Sequence, residues 1–239
     1  MTFSTRKLKL SLILLLNVLA ILFIFPASAA GAPIVVAQVV WVKGAMSAAA
    51  PGQSPRALQR RSPIYNLDTL TTNTDSSGEI VFSDNTIMSI RADSIIRIDE
   101  YKFNRNGSAA SNAAITTIIK GGFRTITGII SKGHPENYQV KTPVATIGVR
   151  GTEYDAILKD GKFYIEFHKG TPFVKNNAGT TYLSAEHPYA RVVSADQAPE
   201  LLAEKPDVFE DEQPLTAAAF SPLSGIVGPN NVADGFCIN

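Results

Sequence analysis

The chain of 239 residues is poor in the side chains that most often carry chemistry: one cysteine, three histidines and one tryptophan. A single thiol cannot close an internal disulfide, so the fold has to rest on its core. Cys237 reads as a free thiol near the C-terminus. His134, His168 and His187 do not stand at the spacing of a metal-binding element, and no metal site is expected. There is no G-x-S-x-G nucleophile turn, and no glycine loop ending in Lys and Ser or Thr. Charge is also sparse and balanced, with 22 Lys+Arg against 21 Asp+Glu, and 45% of the residues are hydrophobic. This excludes a disordered chain and a strongly basic nucleic-acid binder.

Carboxylate pairs are the remaining route to catalysis. Asp99 and Glu100 are adjacent, so on a strand they face opposite sides and cannot cooperate. Glu153 and Asp155 share a face and read as solvated surface charge rather than as an acid pair of the glycosidase kind. No catalytic residue and no cofactor are expected, so the protein reads as a non-enzyme.

What is present begins with a leader. Arg6, Lys7 and Lys9 precede an apolar run from Leu10 to Phe25, followed by Pro26 and the small residues Ala27-Ser28-Ala29. This is the pattern of a signal peptide over 1–29, with cleavage expected before Ala30, and it places the mature chain in the periplasm or outside the cell. The alternative is an uncleaved membrane anchor. No later run is long and apolar enough to span a bilayer, so no transmembrane segment is expected after cleavage.

Residues 30–198 read as an all-β domain. Val39-Val40-Trp41-Val42 is rich in β-formers, and Trp41 is expected in the core. Between 78 and 103, short apolar runs recur about every eight residues with polar turns between them. Ile96 and Ile98 alternate with Arg97 and Asp99, which puts the isoleucines on one face. Asp160-Gly161, between Tyr154–Leu158 and Phe163–Phe167, is a tight-hairpin signal. Residues 131–137 read as a turn. Such hairpins favour antiparallel pairing, so a short-stranded sandwich or twisted β-roll is preferred to a β-solenoid. Residues 199–239 form an acidic, Pro-rich tail with seven acids, one Lys and five prolines, expected to be extended or disordered apart from a short helix near Pro199–Lys205. The β body is thus mildly basic, with 18 basic and 14 acidic residues.

The segment Val140 to Tyr154 (VKTPVATIGVRGTEY) resembles the signature of the FecR domain family. The match rests on Thr142, Pro143, Ala145, Ile147, Gly148, Val149, Arg150, Gly151, Thr152 and Tyr154. Weaker matching pieces at 64–71, 80–90 and 121–123, with Phe163 to Val193 closing the domain, extend the resemblance over about 34–197. The family's Gly-Asp is here Leu67-Asp68, and its Asp-Gly-Ser turn is Asp84-Asn85-Thr86, where Asn can take the left-handed conformation. The resemblance implies an extracytoplasmic β module. The family's namesake regulators add a cytoplasmic domain that binds a sigma factor; only a few residues precede the apolar run here, so no such domain is expected. The expected role is a binding or scaffold module of the bacterial envelope, with an envelope protein or surface polymer as partner. Alternatives are an accessory of signalling coupled to an outer-membrane receptor, or a cell-wall or glycan-processing enzyme. Within the signature, Pro143 marks a strand junction, and Gly148 and Gly151 permit a bend. Arg150 is expected to be held there by carbonyls or a carboxylate; the alternative is an arginine that recognises an anionic ligand.

Overall fold

The structure, a computed structural model, describes residues 33–210. The leader, the cleavage site, Cys237 and the tail beyond 210 lie outside the described residues. In chain order the strands are β1 (Val35–Lys43), β2 (Met46–Ala49), β3 (Arg56–Ala57), β4 (Pro63–Tyr65), β5 (Thr69–Thr72), β6 (Ser77–Phe82), β7 (Ile87–Ile90), β8 (Ile95–Lys102) and β9 (Ala113–Ile126). The helix α1 (Ile129–Gly133) and a 3-10 turn at Pro135–Asn137 follow. Then come β10 (Tyr138–Lys141), β11 (Thr146–Gly148), β12 (Glu153–Lys159), β13 (Lys162–Lys169), β14 (Phe173–Asn176), β15 (Gly179–Tyr182), β16 (Tyr189–Val192) and β17 (Glu200–Leu202). Among the described residues no helix is long and apolar enough to cross a membrane.

The all-β expectation is borne out as an open sheet made of two layers that share β9. The first layer runs β4-β1-β6-β7-β9-β12-β13-β16-β17. The second runs β3-β2-β5-β8-β9-β10-β11-β14-β15. The change of layer occurs at Gly121-Gly122. Gly121 takes φ 68°, and a Cβ on Gly122 would stand 2.0 Å from the Ala156 carbonyl oxygen. Only glycine lets β9 bend so close to β12.

Alternation sets the inward faces. Ile80, Met88, Phe123, Tyr154, Phe163 and Ile165 from the first layer share one buried cluster with Leu70, Ile96, Ile98, Ile118, Val140, Ile147 and Val174 from the second. Burying each large side chain of this kind stabilises the fold by roughly 1.5–3 kcal/mol. The Asp160-Gly161 hairpin forms as read, with φ 51° and 72° between the paired residues Lys159 and Lys162.

Four details depart from the sequence reading. The pair β9–β10 is parallel, because α1 and the turn after it occupy the stretch read as a simple turn and carry the chain back across the layer. Trp41 is half-buried and stands opposite Glu79 on the outward side of the first layer. The stretch near Pro199–Lys205, read as a short helix, holds β17 instead, paired with β16. Packed structure also continues past 198, ending in a 3-10 turn at Asp207–Phe209 where Phe209 is fully buried.

Candidate functional site

The signature residues lie on β10, β11, β12 and the bends between them. Thr142 closes a tight Thr-Pro-Val-Ala turn: its N–H donates to the Ala145 carbonyl at 2.9 Å, and its Oγ1 accepts from the Ala145 N–H at 3.0 Å. Pro143 sits exposed in that turn, at the junction of β10 and β11. Ala145, Ile147 and Val149 point into the core. The alternate positions Thr146, Gly148 and Arg150 follow the outward side. Gly148 is a seat for an aromatic ring, since a Cβ there would come within 2.2 Å of Phe173 Cζ. Gly151 takes φ 59°. The Thr152 N–H donates to Thr127 Oγ1 at 2.9 Å, and the Thr152 carbonyl accepts from the Thr127 N–H at 3.0 Å, which pins the bend beside the start of α1. Tyr154 is fully buried, and burial holds its phenol well above the ordinary tyrosine range.

The turn before β7 anchors the other side of α1. Asn85 takes φ 70°, as its place in the family's glycine position suggested. The buried Asp84 carboxylate accepts from the Thr86 N–H at 3.0 Å, the Tyr101 hydroxyl at 3.1 Å and the Ile130 N–H at 3.3 Å. Leu67, the other departure from a family glycine, also takes a left-handed φ of 70°.

Arg150 departs from expectation. It is exposed and makes no ion pair or hydrogen bond with any described residue, so neither carbonyls nor a carboxylate hold it. The flexible guanidinium stem reaches solvent because its position continues the outward side of β11, while the bend is already held by backbone and hydroxyl groups. It belongs to an uncovered face. Across the second layer the paired outward residues run Arg97, Thr117, Lys141, Thr146, Lys175 and Thr180. Beside them run Gln139, Gly148, Phe173 and Tyr182.

The outward face of the first layer is built differently. Its central row runs Glu79, Ser89, Arg124, Asp155, Glu166 and Tyr189. Asp155 is only 2% exposed. Its Oδ1 accepts from Arg91 at 2.6 Å and its Oδ2 meets His168 Nε2 at 2.8 Å. Arg124 pairs with Glu153 at 2.7 Å, and Lys205 with Glu166 at 3.2 Å. The solvated acid pair read from Glu153 and Asp155 is therefore corrected: both belong to an ion network, and Asp155 is buried in it. Among the described residues, Asp155, Glu166 and His168 are the cluster whose ligand atoms stand close enough for a cation, within 4.8 Å of one another. Both Asp155 oxygens and one Glu166 oxygen already face cationic or ring nitrogen groups, so the arrangement serves as an ion-pair hub. The i, i+2 spacing of Glu166 and His168 opposite Asp155 was the available signal. Its depth depends on the segment 203–209, whose Lys205 reaches Glu166 and whose last turn packs against β12.

Residues 68–171 match the family model described as FecR protein, which bears out the resemblance over that span. The match contains the whole signature and the Asp84 turn. No curated protein matches the chain. Two crystal structures, each described as a "putative anti-sigma factor" from Parabacteroides distasonis ATCC 8503, are similar at 15% identity, with TM-scores of 0.45 and 0.44. Each comparison covers 59% of this chain and 61% of the other, so the likeness spans less than two thirds of those proteins.

Proposed function

We propose that this chain, which carries a FecR domain at residues 68–171, is a non-catalytic binding module of the bacterial envelope, exported by its leader to the periplasm or beyond. One observation carries the reading. Nearly every signature residue is spent on turns, core or bends, whereas Arg150 is exposed and unengaged by the described residues. A guanidinium kept in solvent at the bend after β11 is suited to recognising a carboxylate or phosphate group on a partner. The ion network around Asp155 fits the non-catalytic part, because that carboxylate is engaged on both oxygens by Arg91 and His168. A second reading, an accessory of cell-surface signalling coupled to an outer-membrane receptor, draws its support from the family match alone.

The test is recovery of partners from envelope extract by the wild-type chain and by Arg150→Ala. We expect a partner with the wild type, its loss with the variant, and an unchanged melting temperature. Recovery of a receptor selects the signalling reading. Equal recovery by both proteins removes Arg150 from the site, and lost binding with a lowered melting temperature returns it to the fold.

A further inference from the structure

We infer that the outward face of the second layer binds an anionic polysaccharide laid across its strands. The inference rests on the binding-module reading and names the partner's chemistry.

The face is open. Lys141, Lys175 and Thr180 are exposed and Tyr182 is 71% exposed, while the residues between them on the same strands, Val140 and Val174, are buried in the core. The pattern is the ordinary one for an antiparallel layer with one wet face, but the content of the wet face is selective.

Its unspent charge is positive. Arg97 is paired with Asp99 at 2.5 Å, and Asp99 also accepts from the Thr117 hydroxyl at 2.5 Å. Lys141, Lys175 and Arg150 have no ion-pair partner among the described residues. Two lysines that flank β11 and an arginine at the bend after it favour an anion of some length over a compact one.

The aromatics point to sugar. Phe173 is fixed over Gly148, and its ring stands 5.9 Å from that of Tyr182 at 48°. A large aromatic ring left this exposed on a rigid strand costs solvation and presents a negative π face. The weakly positive C–H face of a pyranose ring complements it. Thr146, Thr180 and Gln139 beside the rings donate and accept alike, as a polymer studded with hydroxyl groups requires. From Arg97 to Thr180 the row crosses six strands, or about 24 Å at the usual strand spacing. That is the reach of an extended chain.

An acidic peptide fits this face less well. Extended peptides gain affinity by adding a strand at a sheet edge, where backbone groups are free. Here the backbone groups are spent in the ladder, and only side chains face the ligand.

The experiment uses the full chain and measures binding to polygalacturonate and dextran sulfate, with neutral dextran, poly-glutamate and oligo-thymidine for comparison. At least one anionic glycan should bind about tenfold more tightly than every comparison polymer. Tyr182→Ala should lose about tenfold, Tyr182→Phe should retain binding, and Lys141→Gln with Lys175→Gln should lower both affinity and its salt dependence. Melting temperature checks that each variant folds. No binding to either anionic glycan overturns the inference, as does poly-glutamate or oligo-thymidine binding equally well, or Tyr182→Ala binding unchanged. If the inference fails while an envelope protein is still captured through Arg150, the binding-module reading stands. If that capture fails as well, both fall.

Discussion

The two outward faces of this protein obey one rule of alternation and end in opposite states. On the first layer Glu79, Ser89, Asp155 and Glu166 are buried, joined by Arg91 and crossed at one end by the segment that carries Lys205 and Phe209. On the second layer the equivalent positions hold Thr, Lys, Gln and aromatic residues in contact with water. A charged outward residue is therefore not by itself a surface residue. Whether it is depends on what packs over it, as Lys205 and the turn at Asp207–Phe209 do at one end of the first face, while the second face stays open to solvent.

The largest effect expected from this contrast is at Asp155. Asp155→Ala removes the partner that Arg91 meets at 2.6 Å and His168 at 2.8 Å, in a site only 2% exposed. Removing one member of a buried ion network costs about 3 kcal/mol or more, because the other charges stay desolvated. Urea denaturation should register a loss of that order, with Asp155→Asn falling between the two. A loss within about 0.5 kcal/mol would mean that water reaches the first face and that the two faces do not differ.

The contrast also separates what the sequence could reveal from what it could not. Ile96 and Ile98 turn inward, the Asp160-Gly161 hairpin closes and Asn85 takes its left-handed turn as read, because each is decided within a few residues. The signature was legible as a motif; Pro143 stands at a strand junction and Gly151 at a bend as read, whereas Gly148 lies within β11 and seats the Phe173 ring. Arg150 was misplaced because nothing local says whether a guanidinium finds a carbonyl or water. The burial of Asp155 was missed for the complementary reason: its partners, Arg91 just past β7 and His168 on β13, stand 64 and 13 residues away. The parallel pairing of β10 with β9 was hidden in a stretch too short to announce a helix.

A smaller effect should appear beneath the open face, on the inward side of the same strand that carries Lys141. Tyr138 is buried, and burial pushes its phenol up to about 12 from an ordinary value near 10. The unfolded chain gives up this proton first. The contribution of the neutral phenol to stability is therefore complete below about pH 10 and is lost as the pH rises through about 12. Melting temperature should fall across that window, and Tyr138→Phe should flatten the fall. An equal fall in the variant would assign the loss to other groups, Tyr154 and Tyr101 first among them.

The smallest effect belongs to the outward side of the second layer, and its smallness is the point. Lys141→Ala and Lys175→Ala each remove an exposed ammonium that no described carboxylate meets. Neither creates a cavity, strands a buried partner or breaks a turn, so each should change stability by less than about 0.5 kcal/mol. The two residues stand one strand apart on either side of Thr146. Their mutual repulsion is weak in water, and the double variant should be the sum of the singles or slightly more stable. Chemical denaturation of the two singles and the double closes the cycle. A loss of more than about 1 kcal/mol from either single would reveal a hidden structural partner and make this face a second closed one. A null result leaves these lysines with no role in holding the fold, and any fall in partner affinity on their removal then has to come from contact with the partner.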